Sequence, residues 1–91
     1  MPQPRYFGIT PRAPQAQYYV IRHNGEWKIR AGYRTTGSYP SKSEAMGAAI
    51  DFAEKDGMAG REAQVLVQGD DRHFRMAWIY GRDPYPVRLR A

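Results

Sequence analysis

The sequence predicts an α+β domain: an antiparallel-rich sheet of two hairpins with one amphipathic helix packed on one face, in the order ββ(β)αββ. Three observations carry this. An Asn-Gly pair joins two apolar-rich stretches at residues 17–31, one capped helical pattern runs from Ser41 to Gly57, and a second alternating pair of stretches follows at residues 62–80.

In the first hairpin, QYYVIRH and EWKIRA flank Asn24-Gly25, the favoured pair for a type I′ turn because both central positions need positive φ. That turn fixes the register: His23 faces Glu26, Arg22 faces Trp27, Val20 faces Ile29 and Tyr18 faces Ala31. Cross-strand partners share a face. Tyr18, Val20, Trp27 and Ile29 therefore form the core side. Tyr19, Ile21, His23, Glu26, Lys28 and Arg30 form the other side.

Residues 32–40, GYRTTGSYP, mix strand formers with Gly32, Gly37 and Pro40, and predict a short edge strand within Tyr33–Tyr39. The helix begins at Ser41, an N-cap with Glu44 three residues on, the spacing of a capping box. Ala45, Met46, Ala48, Ala49, Ile50, Phe52 and Ala53 share one arc. Glu44, Gly47, Asp51, Glu54 and Lys55 share the other, with Asp51 and Lys55 a favourable i,i+4 pair. Gly57 is the expected residue just past the helix end. An alanine stripe lets the helix lie close to the sheet, and Tyr18, Trp27, Phe74 and Trp78 are expected to supply the bulk.

In the second hairpin Ala63, Val65 and Val67 alternate with Gln64, Leu66 and Gln68. Phe74, Met76, Trp78 and Tyr80 alternate with His73, Arg75, Ala77 and Ile79. Gly69-Asp70-Asp71 supplies the turn.

The expected organisation is a flexible, Pro-rich basic arm over residues 1–16, a single domain over 17–80, and an extended Pro/Arg-rich tail over 81–91. Tyr6, Phe7 and Ile9 form the arm's apolar spot. The net charge of +5 is carried mostly by the two ends. A chain of 91 residues buries only about 60–65% of its unfolded surface, and seven Tyr, three Phe and two Trp suit a core that must be efficient. Cysteine is absent, which excludes disulfides and thiolate chemistry. No apolar run reaches the roughly 18 residues of a membrane span, and the N-terminus lacks a signal-peptide apolar core. The expectation is a soluble, cytoplasmic protein without membrane partners.

YYVIRHNGEW, SKSEAMGAAIDFA, VLVQGDDRHF and YGRDPYP together resemble a small bacterial domain-of-unknown-function family, numbered 2188, over about residues 18–86. The terminal element is the most specific part, matched by Tyr80, Gly81, Asp83, Pro84 and Pro86. The resemblance implies no activity. The Pro-rich arm and a longer link at Met58–Glu62 depart from the family's pattern. Over residues 26–53 the chain is also similar to the sheet-plus-helix DNA-binding domains of plant ethylene-response factors and phage integrase arms. Trp27, Gly37, Tyr39, Glu44 and Ala45 match, and Lys28, Arg30 and Arg34 match the basic reading strands in part. Such domains insert a sheet into the major groove.

The open sheet face is the main functional candidate. It is expected to present Tyr19, Lys28, Arg30, His73 and Arg75, opposite an acidic helix back. Basic residues near aromatics bind phosphates and stack bases. An ordinary solvated face explains the same alternation. Two readings follow. In the first, which leads, a non-catalytic module binds DNA or RNA through the basic sheet face and the basic tails, with Arg22, Lys28, Arg30, Arg34 and Arg75 on phosphates and Tyr19 stacking. In the second, a protein-interaction module, an accessory or phage-type inhibitor or a homodimer, uses Ile21, Leu66, Ile79 and Tyr85.

No metal and no cofactor is expected. His23 and His73 are the only histidines, and Asp70-Asp71 beside His73 is ordinary turn chemistry. No enzyme is expected either, because Ser38, Ser41 and Ser43 cluster at the helix start without a base. Gly57-Met58-Ala59-Gly60-Arg61 has the spacing of a backbone-clamping loop, but a helix C-terminus explains it better. Tyr80–Pro86 either folds back over the sheet edge or core end, which is favoured, or serves as an extended recognition peptide.

Overall fold

The computed structural model describes residues 16–86. The expected arm, with Arg5, Tyr6, Phe7, Ile9 and Arg12, and the end of the tail, with Arg88 and Arg90, lie outside the described residues. Five strands and one helix follow in the order β1 (Ala16–His23), β2 (Glu26–Ala31), β3 (Arg34–Tyr39), α1 (Lys42–Met58), β4 (Ala63–Gln68) and β5 (Phe74–Ile79). The α+β class and the ββ(β)αββ order are those the sequence predicts.

The sheet order is β3-β2-β1-β4-β5. The β1–β2 ladder has the register that the Asn-Gly turn dictates, from His23↔Glu26 to Val20↔Ile29. Asn24 and Gly25 have φ of 53° and 79°, as a type I′ turn requires. β3 is the edge strand expected before the helix.

The crossover through α1 returns the chain so that β4 lies parallel to β1, with Tyr18↔Val65 and Val20↔Val67. One helix, about 10–12 Å across, covers little more than two strands spaced about 4.8 Å apart. Here it lies over β1 and β4. Val20, Ile29, Val65 and Trp78 are fully or almost fully buried beneath it. Its own buried residues are Ala45, Ala49, Ile50, Ala53 and Gly57. Among the described residues no polar or charged side chain is buried.

Both helix ends follow from local chemistry. Ser41 Oγ accepts the Glu44 N–H at 3.2 Å, satisfying one of the orphan donors of the first turn. At the other end the helix runs past Gly57 to Met58. Gly60, at φ 97°, takes the left-handed position instead. The Gly60 N–H donates to Gly57 O and the Arg61 N–H to Asp56 O, the paired bonds of a Schellman terminus. The G-x-x-G spacing is thus helix termination. Gly57 itself is buried because the Tyr80 ring occupies the place its Cβ would take.

One bulge corrects the predicted faces. In β4–β5 the register passes from Val65↔Trp78 to Leu66↔Met76, leaving Ala77 extra. A bulge puts two residues opposite one and shifts the alternation beyond it. Trp78 stays on the helix side. Phe74 and Met76 move to the open side, and Arg75, paired with Val67, moves to the helix side. Phe74 therefore does not supply core bulk. In β2–β3 a second irregularity lies between Trp27↔Tyr39 and Ile29↔Thr36.

Tyr80–Pro86 folds back rather than running on in extended form. Asp83 Oδ2 accepts the Ile79 N–H at 2.8 Å, and the Trp78 indole N–H donates to Pro84 O at 3.0 Å. The Tyr85 hydroxyl donates to Asp51 Oδ1 on the helix at 2.7 Å. The segment closes the core beyond the reach of α1. Asp51 is engaged by Tyr85, and no Asp51–Lys55 ion pair forms among the described residues.

Candidate functional site

The sheet side away from α1 carries no layer of the described chain. Its residues follow from the ladders as rows across the strands. One row is Thr35, Arg30, Tyr19, Leu66 and Met76. The next is Lys28, Ile21, Gln68 and Phe74, and a third is Gln17, Gln64 and Ile79. Ile21, Leu66, Phe74, Met76 and Ile79 thus form one apolar strip over β1, β4 and β5. Phe74 and Met76 are 36% and 44% exposed.

Tyr19 stands at the margin of the strip. Its ring meets Phe74 edge-on at 5.2 Å between centroids, and the Arg30 guanidinium lies 5.2 Å from its centroid. Its hydroxyl donates to Gln17 Oε1, whose amide in turn donates to Gln64 Oε1. Tyr19 is therefore a packed member of the face rather than a bare stacking platform. Lys28 leans toward the β3 edge, 3.4 Å from Gly37 O and 3.6 Å from Glu26 Oε1. Glu26 is held below the usual carboxylate range by a Ser38 hydrogen bond and then by Lys28.

The six residues expected to contact nucleic acid divide. Tyr19, Lys28 and Arg30 share the open face. Arg22 pairs with Trp27 and Arg34 with Ala31, so both belong to the helix side, as does Arg75. Arg22 lies 5.9 Å from the Trp27 ring centroid. Arg34 rims a groove of about 680 Å³ between Phe52 and the β2–β3 hairpin. Arg75 is bound to Asp71 through Nη2 at 3.0 Å, which holds the Asp71 carboxyl below its ordinary range and raises Arg75. His73 also sits against Asp71, at the strand end.

Of the four residues expected at a protein interface, Ile21, Leu66 and Ile79 come together on the open face. Tyr85 does not join them: its ring packs 6.3 Å from Trp78 and its hydroxyl reaches α1 on the other side of the sheet. Phe74 and Met76 were missed because continuous alternation from Phe74 to Tyr80 hides the bulge at Ala77. No signal in the sequence marks it, because the place of β5 at the sheet edge depends on where the crossover lands.

Among the described residues no group of three or more His, Cys, Asp or Glu side chains is placed to hold a metal ion. No described helix is long and apolar enough to cross a membrane. No curated protein and no solved structure matches the chain. Residues 18–80 match the family described as an uncharacterized protein conserved in bacteria, domain of unknown function 2188. That span contains all five strand cores and the helix, and leaves out the fold-back beyond Tyr80. The Gly81, Asp83, Pro84 and Pro86 positions of the expected terminal motif lie beyond the matched residues, and the chain belongs to this bacterial family on its strand and helix motifs.

Proposed function

We propose that the domain is a non-catalytic protein-interaction module, and that its open sheet face docks onto an apolar protein surface, first of all a second copy of this chain. The observation that carries this reading is the strip of Ile21, Leu66, Phe74, Met76 and Ile79. A solvated sheet face alternates apolar-in with polar-out. Here the outward positions of the three strands on one side of the sheet are mainly apolar, while charge is confined to Glu26, Lys28 and Arg30 on β2. Stacked sheets pack about 10 Å apart with interdigitating side chains, a geometry this face offers. A two-fold axis through the strip lets one patch serve both sides of the interface.

Sedimentation equilibrium over a wide concentration range tests it. Wild type is expected to dimerise. Leu66→Asp and Met76→Asp are expected to remain folded monomers, each losing about 2 kcal/mol or more of association from the buried carboxylate. Lys28→Glu with Arg30→Glu should leave the dimer in place. Folded wild type that stays monomeric throughout would overturn the assignment of the second copy.

A second reading rests on the Arg30–Tyr19–Lys28 corner: attraction of a DNA or RNA backbone to the cations beside the strip. It predicts binding to generic DNA or RNA that weakens steeply with salt and is lost in the Lys28→Glu, Arg30→Glu variant. It has less support, because three of the five expected phosphate contacts lie on the helix side of the sheet.

A further inference from the structure

A second feature lies at the end of the sheet where β1 and β4 finish, bordering the row of Ile21, Gln68 and Phe74. The β1–β2 turn and the β4–β5 turn rise side by side, because β1 and β4 are parallel neighbours and both end there. Between them is a cavity of about 430 Å³ lined by Arg22, His23, Trp27, Gln68, Asp70 and Arg72, among others. We propose that this notch binds the phosphate group of a small phosphomonoester, with the Arg22 and Arg72 guanidinium groups as its two principal donors.

Arg72 occupies a left-handed backbone position, φ 70°, where glycine or asparagine is the ordinary residue. The turn that places it there is closed by the Arg72 N–H donating to Gly69 O at 2.9 Å and the Gly69 N–H to His73 O at 2.8 Å. A long cationic side chain in such a position is unfavourable for the turn and needs another reason. Arg72 forms no ion pair with any described residue. The neighbouring carboxylate, Asp71, is taken up by Arg75 and by the His73 N–H.

Arg22 completes the pair. Its backbone N–H donates to Gln68 Oε1 at 3.1 Å, tying the end of β1 to the end of β4. Its guanidinium rests near the face of Trp27 and has no carboxylate partner among the described residues. Asp70 is the one carboxylate lining the notch, against two guanidinium groups and the His23 imidazole. The excess is positive. Paired guanidinium donors suit a dianionic phosphomonoester, whose oxygens take charge-assisted hydrogen bonds. A volume of this size admits a phosphate with a small attached group.

The test is an amide chemical-shift titration of the full chain with inorganic phosphate and with a phosphomonoester such as glycerol phosphate, at constant ionic strength set by chloride. Saturable shifts are expected at Asn24, Gly69, Asp70 and Arg72, with the open-face amides of Leu66 and Met76 unmoved. Arg72→Gly relieves the left-handed position, so its melting temperature should hold or rise while phosphate affinity falls at least tenfold. Arg22→Gln should lose affinity to a similar degree. Shifts that chloride reproduces, or that persist in Arg72→Gly, overturn the proposal. A short oligonucleotide binding the notch more tightly than either monoester would also overturn it, by assigning the two arginines to a diester backbone.

Discussion

Gly57 and Gly47 lie on the same helix, and the same substitution should have opposite effects at the two sites. Glycine in a helix interior costs about 1 kcal/mol relative to alanine, so Gly→Ala at an open site should stabilise. At Gly47 an added Cβ meets no atom within 4 Å. Gly47→Ala is therefore expected to gain about 0.5–1 kcal/mol, a rise of about 3–6 °C in melting temperature for a domain of this size. At Gly57 the added Cβ falls on Cγ, Cδ1 and Cδ2 of Tyr80, well inside an ordinary carbon–carbon separation of about 3.5–4.0 Å. These atoms are at the root of the ring, so a small tip movement does not relieve the clash. The ring is also backed by Trp78, 6.3 Å away between centroids. Overpacking of this kind costs about 1–3 kcal/mol and outweighs the helix gain. Gly57→Ala should lose about 1–2 kcal/mol net, a fall of about 5–15 °C. Thermal unfolding followed by circular dichroism measures both. In a Tyr80→Ala background the sign at Gly57 should reverse, since the obstruction is gone. Equal stabilisation by both glycine substitutions in the wild-type background would refute the packing of Tyr80 on the helix.

Three further outcomes follow from the same structure. Ala49 is completely buried between α1 and the sheet, so Ala49→Glu, which places an unpaired carboxylate there, should unfold the domain; a retained native near-ultraviolet spectrum would contradict the helix placement. Asp83→Ala leaves the Ile79 N–H without its carboxylate acceptor and loosens the fold-back, with an expected loss of about 1–3 kcal/mol in denaturant titration. The Tyr18 phenol is pushed up to about 12, first by burial and then by its hydrogen bond to Asp56. Between pH 10 and about 12 the unfolded chain has lost that proton while the folded chain keeps it. Tyr18 therefore contributes stability that is present below pH 10 and is lost as pH rises toward 12. Comparison with Tyr18→Phe isolates the contribution: the variant's stability should fall less steeply across that window, and identical slopes would contradict the Tyr18–Asp56 contact.

Local chemistry made most of the fold legible. Asn24-Gly25 fixed a register that the β1–β2 ladder follows from His23↔Glu26 to Tyr19↔Arg30, and Ser41 with Glu44 marked the helix start to within one position. Features governed by the width of the sheet were not legible. The parallel β1–β4 pairing depends on where a crossover lands, which alternation does not encode. The bulge at Ala77 lies inside an unbroken alternation, so Phe74, Met76 and Arg75 were assigned to the wrong sides. Helix length misled at Gly57, where the demand for a small residue comes from Tyr80 rather than from backbone φ. The open face was therefore legible through Ile21, Leu66 and Ile79, while its two most exposed apolar members were not. Its expected basic character was overstated at Arg75, which belongs to the helix side with Arg22 and Arg34.

The open face is tested most directly by transferring protection onto it. Hydrogen exchange of wild type should be compared between dilute and concentrated solution, with Met76→Asp alongside. Association through the strip predicts added protection with concentration at amides of β5 and its neighbours, absent in Met76→Asp, while α1 exchanges alike under both conditions. Concentration-dependent protection on α1 instead, or protection on β5 that survives Met76→Asp, would contradict a docking surface on the open side of the sheet.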